Sequence, residues 1–311
     1  MAESNGTDKR NTLHSKALLA DAGPLTVAMI WGGGFVAMKM ALTDMNLLSL
    51  SMYRYVGGAI LMTFFVLNKL RDRELIHNKK LWICGLVCGV NMFIGNGMQM
   101  AGLQFTMASK QSFIIAMYII LVPIMSWIVF RKRPSNYILL AAIIGTVGIA
   151  FITLTDNFGI GIGDALSFGL TLTYSAQIIF TTVVVKDMDV MLFTYIQVVV
   201  MAVLFTILSL VTGTLMSPSE VIAMSHPALI GLIYTTVLNS VIAFSIHNAA
   251  LGYAPPGHAA VLLSMESVFG VTAAILIAGE VFTGRMIIGG ILMFVAIGIV
   301  EYQTVKNNLS E

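Results

Sequence analysis

The feature that most constrains this chain is a series of long apolar blocks with almost no charge inside them. Between Asn136 and Leu154, for example, there is no Lys, Arg, Asp, Glu or His. A soluble domain does not bury a succession of such blocks, whereas the hydrocarbon core of a bilayer requires about 20 apolar residues per helix. Only 10% of the residues are charged and the mean hydropathy is +0.90, whereas ordinary soluble proteins have about 25% charged residues. The sequence therefore predicts an all-α membrane protein.

Polar breaks divide the apolar sequence into about ten segments, each long enough to cross a bilayer. A polar N-terminal tail over 1–18 and a C-terminal tail over 305–311 flank them, and the first tail lacks the pattern of a cleaved signal peptide. The predicted spans are 19–42, 47–68, 81–103, 109–131, 136–154, 162–185, 191–213, 227–252, 258–280 and 285–303.

The distribution of Lys and Arg predicts how the chain is oriented, because cytoplasmic loops are enriched in these residues. With the N-terminus inside, only Lys110 and Arg285 fall in outer loops, while Lys39 and Arg54 fall within helices. Both termini are therefore expected to be cytoplasmic, in a plasma or inner membrane. The inner loops and tails then hold Lys9, Arg10, Lys16, Lys69, Arg71, Arg73, Lys79, Lys80, Arg131, Lys132, Arg133, Lys186 and Lys306.

The two halves of the chain align with a constant offset of 148 residues, which sets Ala108–Tyr118 over Pro256–Glu266. Each half, 19–155 and 160–304, is predicted to hold five helices. Five is an odd number, so the second half enters the membrane from the opposite side. Inverted repeats of this kind build secondary transporters, whose substrate site lies near the midplane between the halves.

Short motifs occur at matching places in the two halves. They are Trp31–Phe35 followed by Lys39, Ala108–Phe113 and Leu121–Ile124 in the first half, and Leu263–Phe269, Ala278–Glu280 and Gly289–Gly290 in the second. Together they resemble the repeats of EamA-type carriers of the drug/metabolite transporter superfamily, and the resemblance extends from about residue 20 to 303. It implies a ten-helix carrier with both ends cytoplasmic and a central cavity lined by the first, third and fourth helices of each half.

The chain departs from that family pattern at two places. The second repeat often has a proline after its mid-helix glutamate, and here Ser267 stands there, so the resemblance does not predict a kink in the ninth helix. A Gly-Glu pair often ends the fourth helix, and here the corresponding residues are Arg131–Arg133. The family transports amino acids, amines and other small metabolites, so membership does not identify the cargo.

Glu266 is the main candidate for a functional side chain, because a carboxylate inside a membrane must be paired, hydrated or protonated. It is expected to line the cavity and to carry a proton during transport; the alternative is a protonated carboxyl that only bonds a neighbouring helix. His247 and His258 lie on the adjacent antiparallel helices, so either could pair with Glu266. Both histidines could instead be interfacial residues.

Trp31, Phe35 and Lys39 are spaced by four and therefore share one helical face. This stripe could hold an anionic group; alternatively, the two rings pack and Lys39 extends to the outer surface. Gly32–Gly34 permit close packing or bending of the same helix. Arg54 could extend outwards, pair with Asp44 or reach a cavity, and a structural role is favoured.

Uncharged polar side chains recur on several helices and complete the candidate cavity. Any one of them could instead form an interhelical hydrogen bond, worth about 0.6–2 kcal/mol. Gln197 is expected to support packing at the periphery, and Lys110 and His258, at equivalent positions, to anchor helices at the interfaces or to act as gates. The cavity candidates are Asn96, Gln99, Gln111, Tyr118 (the counterpart of Glu266), Tyr174, Gln177 and Asn239.

These features favour a secondary transporter that moves a small polar or amphipathic metabolite by alternating access, more as an exporter than an importer. An uncoupled facilitator is the first alternative, and an intramembrane enzyme is disfavoured because catalytic clusters are lacking. Gly32–Gly34 lack the Lys-Ser/Thr of a nucleotide-binding loop. No cofactor, metal, nucleic acid or ATPase subunit is expected. The expected partners are a small-molecule substrate and the lipid bilayer, with the protein a monomer or homodimer.

The orientation is tested by labelling single cysteines in a variant that lacks Cys84 and Cys88. We expect a membrane-impermeant thiol reagent, added to intact cells, to modify cysteines at positions 157 and 217 but not at 75 or 133. Labelling of position 157 from the same side as position 75 would contradict both the ten-helix count and the inverted repeat.

Overall fold

Because the bilayer core offers no water to the backbone, a chain that crosses it satisfies its N–H and C=O groups within helices. The structure, a computed structural model, describes residues 3–131, 133, 135–153, 160–253, 256–281 and 283–308, and within them it contains helices and no strands. The spanning helices are α1 (Glu3–Ala41), α2 (Leu47–Val66), α3 (Lys79–Phe105), α4a (Ala108–Ile115), α4b (Tyr118–Phe130), α5 (Asn136–Thr153), α6 (Ile162–Val184), α7 (Val190–Val211), α8a (His226–Tyr234), a π-helical segment (Thr235–Ala243), α8b (Phe244–Leu251), α9a (Pro256–Ser264), α9b (Glu266–Leu276) and α10 (Gly284–Asn308).

This architecture confirms the predicted ten helices, and most of their ends lie within two residues of the predicted ends. In the described part of the chain, seven helices are long and apolar enough to cross a membrane, while α5, α9 and α10 contain shorter apolar stretches. The main difference is α1, which begins at Glu3 instead of residue 19, although its apolar span begins at Ala22. Short helices in the connections are Lys69–Arg71, Arg73–Ile76, Val185–Asp187 and Pro218–Ile222.

Side-chain caps explain why several helices begin where they do. Asn46 accepts a hydrogen bond from the Ser49 N–H at the start of α2, and Asp189 accepts one from the Leu192 N–H at the start of α7. Asn78 caps α3 in the same way. Each cap satisfies an N–H that has no partner within the helix.

The fourth and ninth helices are broken at equivalent positions. Tyr118 begins α4b and Glu266 begins α9b, so the two breaks are separated by the same offset of 148 residues that relates the two halves of the sequence. The break in α9 forms without a proline, and the Ser267 hydroxyl donates to the Ser264 carbonyl across it (2.9 Å). The two breaks therefore place Tyr118 and Glu266 at the starts of equivalent half-helices, one in each half of the chain.

The same two helices also end equivalently, with different residues. Gly279, which follows α9b, has φ +64°, and Arg131, which follows α4b, has φ 57°. A left-handed backbone is easy for glycine but unfavourable for a residue with a Cβ. Arg131 thus makes the same backbone turn as Gly279, its equivalent 148 residues later, with a residue less suited to it.

A π-helical segment interrupts α8 near the middle of the bundle. The Ser240 hydroxyl donates to the Thr235 carbonyl five residues earlier (2.9 Å), and the Thr236 hydroxyl donates to the Leu232 carbonyl (2.7 Å). Hydroxyl groups thus add hydrogen bonds to backbone carbonyls, one in α8a and one in the π segment. Such segments are rare and are frequently found at functional sites.

The helices pack in a pattern that is unchanged when the two halves are exchanged. Helix α1 packs against α8 and α9, and its counterpart α6 packs against α3 and α4. Three other helices of the first half each pack against their own counterpart in the second half: α2 against α7, α4 against α9 and α5 against α10. The fold is therefore two five-helix repeats related by a pseudo-twofold axis, with α1, α4, α6 and α9 at its centre.

Three consecutive glycines bring α1 close to two neighbouring helices. A Cβ on Gly32 would lie 2.8 Å from the Glu266 carbonyl oxygen and 2.8 Å from the Gly270 nitrogen of α9. A Cβ on Gly33 would meet the Tyr234 hydroxyl at 2.6 Å, and one on Gly34 would overlap the Asn239 side chain. The triplet therefore fixes the distances from α1 to both α8 and α9, as expected for small residues between membrane helices.

We expect Gly32→Ala to lower the stability of the folded protein by about 1–3 kcal/mol, because the new methyl meets backbone atoms that cannot rotate away. The matched control is Gly97→Ala in α3, where no atom lies within 4 Å of the added Cβ. Thermal unfolding in detergent should show a lower midpoint for the first variant only. Equal midpoints would mean that α1 does not depend on this contact.

Candidate functional site

A central cavity lies between helices of both halves. The space between these helices that protein atoms do not fill is about 270 Å³, and most of it is too narrow to admit a water molecule. Its walls come from α1, α3 and α4b of the first half and α6, α8b and α9a of the second, the same helices that the family resemblance implies. The lining residues are Trp31, Met92, Tyr118, Tyr174, Gln177, Ile178, His247 and Leu263.

Trp31 is the centre of an aromatic cluster in this cavity. Its ring centroid lies 4.9 Å from that of His247, 5.6 Å from that of Phe244 and 6.1 Å from that of Tyr174. The indole N–H donates to the Asn239 carbonyl in the π segment (3.4 Å). These contacts join α1, α6 and α8 around the cavity.

Glu266 lies beside the cavity without being one of its lining residues. Its side chain is 2% exposed, and its Oε2 atom has no hydrogen-bond partner in the described part of the chain. It is close enough to interact electrostatically with the hydroxyls of Tyr118 and Tyr174, and the Tyr118 hydroxyl likewise lacks a described partner. Among the described residues, no ion pair joins His247 to Glu266; the side chain of His258 lies outside them.

A network of amide side chains, buried except for the half-buried Asn91, includes Gln177 of the cavity lining. Asn91 donates to Gln177 (3.3 Å), Gln177 donates to Gln197 (3.3 Å), and Asn248 donates to Thr194 (3.0 Å) and Gln197 (3.5 Å). The network connects α3, α6, α7 and α8b. Gln197 supports helix packing, as predicted, but its side chain is fully buried and not peripheral, since α7 packs against both α2 and α3.

Sequence reasoning missed Asn91 and Asn248, although both are amides within apolar spans and the same signal identified Asn96. Asn96 itself is buried on α3 near Tyr174, and its amide nitrogen bonds the Met92 carbonyl (2.9 Å). Its Oδ1 has no partner among the described atoms. This unused acceptor adds to the polar atoms around the cavity.

The Gln111 side chain forms a second polar cluster with the Gln99 backbone and the Ser167 side chain, away from the cavity lining. The Gln111 amide donates to the Gln99 carbonyl (3.1 Å) and to the Ser167 hydroxyl (3.1 Å). Gly102 allows this approach, because a Cβ there would lie 2.8 Å from the Gln111 nitrogen. These bonds join α3, α4a and α6, so the cluster has the geometry of a helix junction.

The proposed stripe of Trp31, Phe35 and Lys39 is not brought together around one ligand position. Phe35 is fully buried, with its ring against Gly270. Lys39 lies at the end of α1, where its ammonium is 3.5 Å from the Glu280 carboxylate. Of the three side chains, only that of Trp31 lines the cavity.

Glu280 joins several elements at that end of the bundle. Its carboxylate accepts hydrogen bonds from the backbone N–H groups of Ala108 (3.0 Å) and Ser109 (3.2 Å) and from the Ser109 hydroxyl (2.5 Å). A carboxylate at a helix N-terminus is stabilised by the helix dipole and by unpaired N–H groups. Glu280 thus ties α1 and the α9–α10 connection to the start of α4a.

Further ion pairs lie at the two ends of the bundle. Lys110, on α4a, pairs with Asp164 of α6 (3.4 Å), at the same end as Glu280. Lys69 pairs with Asp189 at the opposite end. Asp44 does not pair with Arg54; hydrogen bonds from Ser225 hold the pKa of this loop carboxyl below its usual value. No group of three or more metal-ligating side chains occurs among the described residues.

Comparisons with known proteins agree with this architecture. A crystal structure of a protein superposes on 90% of this chain and 96% of its own with a TM-score of 0.68, at 12% sequence identity, which shows a shared fold. An uncharacterized transporter of Archaeoglobus fulgidus is 26% identical over 290 residues, covering 92% of this chain and 87% of the relative. The uncharacterized transporter YoaV of Bacillus subtilis is 27% identical over 132 residues, covering 42% of this chain and 44% of the relative.

The family comparison covers nearly the whole chain in two segments. The model of the EamA-like transporter family matches residues 18–154 and again residues 161–302, once in each half. The names of the relatives and of the family indicate a membrane transporter, which is consistent with a protein that is not an enzyme. The chain belongs to the EamA-like transporter family.

Proposed function

We propose that this protein is a secondary carrier that exports a small polar or amphipathic metabolite, such as an amino acid or an amine, across the plasma or inner membrane. The observation that carries the proposal is the central cavity, which takes walls from both repeats and lies beside the paired helix breaks at Tyr118 and Glu266. In inverted-repeat transporters, broken helices near the midplane form the substrate site. The aromatic cluster supplies apolar contact, and the amide network supplies hydrogen bonds.

Transport proceeds by alternating access, in which the two halves rock around the cavity. At one end, the bonds of Glu280 to Lys39, Ala108 and Ser109 and the Lys110–Asp164 pair hold the helices together. These bonds must open before a solute passes through that end. The narrow cavity corresponds to a conformation that is closed around the site, which widens when substrate enters.

Glu266 is the proton-coupling group in this proposal. Its carboxyl is buried, and its Oε2 atom has no hydrogen-bond partner among the described residues. A buried carboxylate is costly when it is unpaired, and exchange of a proton is the simplest way to change its charge. Exchange of inward-moving protons for cargo drives the cargo outwards, which is the basis for proposing export.

The remaining parts of the proposal concern the surroundings of the carrier. Both termini are cytoplasmic, as the distribution of Lys and Arg indicates. The carrier works as a monomer or homodimer in the bilayer, without an ATPase subunit or nucleic acid. In this proposal the proton gradient across the membrane supplies the free energy for transport.

The proton-coupling role is tested with Glu266→Gln in proteoliposomes that contain matched amounts of protein. The amide is similar in size to a protonated carboxyl and still forms hydrogen bonds, so we expect folding and equilibrium exchange of substrate to be largely retained. Accumulation driven by a pH gradient should fall to background, because the amide cannot release a proton. Glu266→Ala is the packing control. It should also lower the free energy of unfolding by about 2–4 kcal/mol, which is measured as a lower unfolding midpoint.

Three outcomes separate the alternatives. Unchanged gradient-driven flux in the Gln variant would exclude Glu266 as the coupling group. Absence of gradient-driven flux in the wild type, with exchange intact, would identify an uncoupled facilitator. Loss of both activities in a folded Gln variant would mean that the carboxylate contacts the substrate itself.

A further inference from the structure

Arg54, the eighth residue of α2, is buried inside the bundle. Its side chain is 2% exposed. The Nε atom donates to the Ser240 hydroxyl of the π segment (2.6 Å), and Nη1 lies 3.5 Å from the Met38 sulfur. The guanidinium carbon is 4.8 Å from the centroid of the Tyr55 ring. These partners are neutral, so the positive charge of Arg54 is not compensated by them.

No carboxylate pairs with Arg54 within the part of the chain that the structure describes. The acidic residue nearest in sequence, Asp44, instead accepts hydrogen bonds from Ser225 and Thr43. An uncompensated charge inside a membrane protein is costly and rare, and such residues commonly mark the path of a substrate or ion. A purely structural role does not account for a guanidinium placed without a counter-ion.

The pseudo-symmetry of the fold supplies an internal comparison. The starts of α2 and α7 differ by 143 residues, fewer than the 148 that separate α4 from α9, so the counterpart of Arg54 in the packed helices is Gln197, the eighth residue of α7, which is buried too. Gln197 joins its neighbours through amide hydrogen bonds to Gln177 and Asn248. An uncharged side chain is therefore sufficient to hold helices together at this position, and the charge of Arg54 needs a separate reason.

The surroundings of Arg54 extend to the central cavity. The Ser240 hydroxyl that binds Arg54 belongs to the residue after Asn239, and the backbone carbonyl of Asn239 accepts the hydrogen bond from the Trp31 indole of the cavity lining. Several buried polar atoms in this region have no described hydrogen-bond partner, and buried groups of this kind are unusual unless a water or ligand satisfies them. They are Tyr55 Oη, Asn96 Oδ1, Tyr118 Oη, Asn239 Oδ1 and Glu266 Oε2.

We propose that Arg54 binds an anionic group of the transported solute, so that the substrates of this carrier bear a carboxylate and not only an amine. This inference rests on the proposed function and narrows its substrate class. The Nε edge of the guanidinium is used by Ser240, and the edge formed by Nη1 and Nη2 has only the Met38 sulfur as a described acceptor. That edge presents two parallel N–H groups, the arrangement that binds a carboxylate through both oxygens.

The test uses pairs of solutes that differ only in the anionic group: phenylalanine with phenylalaninamide, leucine with leucinamide, and lactate with lactamide. Binding to the purified carrier is measured by thermal stabilisation, and transport by competition in proteoliposomes. We expect the wild type to bind at least one acid about 10- to 100-fold more tightly than its amide, the range for a hydrogen bond to a charged group. Arg54→Gln should reduce that preference to about one, while retaining whatever affinity the amide has.

Two further variants separate binding from folding. Ser240→Ala removes the hydroxyl that holds Nε but leaves the guanidinium, so the preference for acids should persist. Arg54→Lys keeps the charge but loses the two-pronged geometry, and it should show an intermediate preference. If Arg54→Gln does not fold, the preference of the wild type and its reduction in Arg54→Lys decide the question.

The outcomes distinguish this inference from the proposed function. Binding and transport of amides or amines, without a preference for acids, would leave the carrier function standing and overturn the role of Arg54. An equal loss of preference in Ser240→Ala and Arg54→Gln would overturn it as well, because it would indicate a structural effect. Failure of the wild type to move or bind any solute in a panel extended to other metabolites would count against both proposals.

Discussion

The central part of this fold depends on the close contact of α1 with α8 and α9 at Gly32–Gly34. Between membrane helices there is no hydrophobic driving force comparable to that in water, so association depends on how closely the backbones approach. Here the approach brings α1 against the Glu266 carbonyl and the Asn239 side chain. It also places the Trp31 indole beside the Asn239 carbonyl and the His247 ring. The position of the aromatic cluster in the cavity thus depends on the absence of side chains at Gly32–Gly34.

Much of the architecture could be predicted from the sequence, because a bilayer imposes a single length scale on apolar segments. That scale gave both ends of seven of the helices to within two residues, and the offset of 148 residues placed Tyr118 and Glu266 at equivalent breaks. The helical start at Glu3 was missed, since hydropathy identifies where a helix is apolar and not where it begins. The orientation of the chain stays a prediction from its loop charges.

The candidate site could be predicted only in part, since hydropathy does not show which side of a helix meets which neighbour. Trp31, Tyr118, Tyr174, Gln177 and His247 converge on the cavity, whereas Phe35, Lys39, Gln99 and Gln111 make contacts elsewhere. The π segment also departs from the α-helical period from which side-chain directions along α8 would be predicted. Lys39 is an example of a residue whose partner, Glu280, is distant in sequence.

The narrowness of the cavity has a thermodynamic consequence for every measurement of affinity. If the carrier must open to admit a solute, the observed dissociation constant equals the intrinsic one divided by the fraction of molecules that are open. A carrier that is open in about one molecule in a hundred would therefore bind about a hundredfold more weakly than its contacts suggest. A substitution that loosens the closed conformation, even one far from the solute, would then tighten apparent binding.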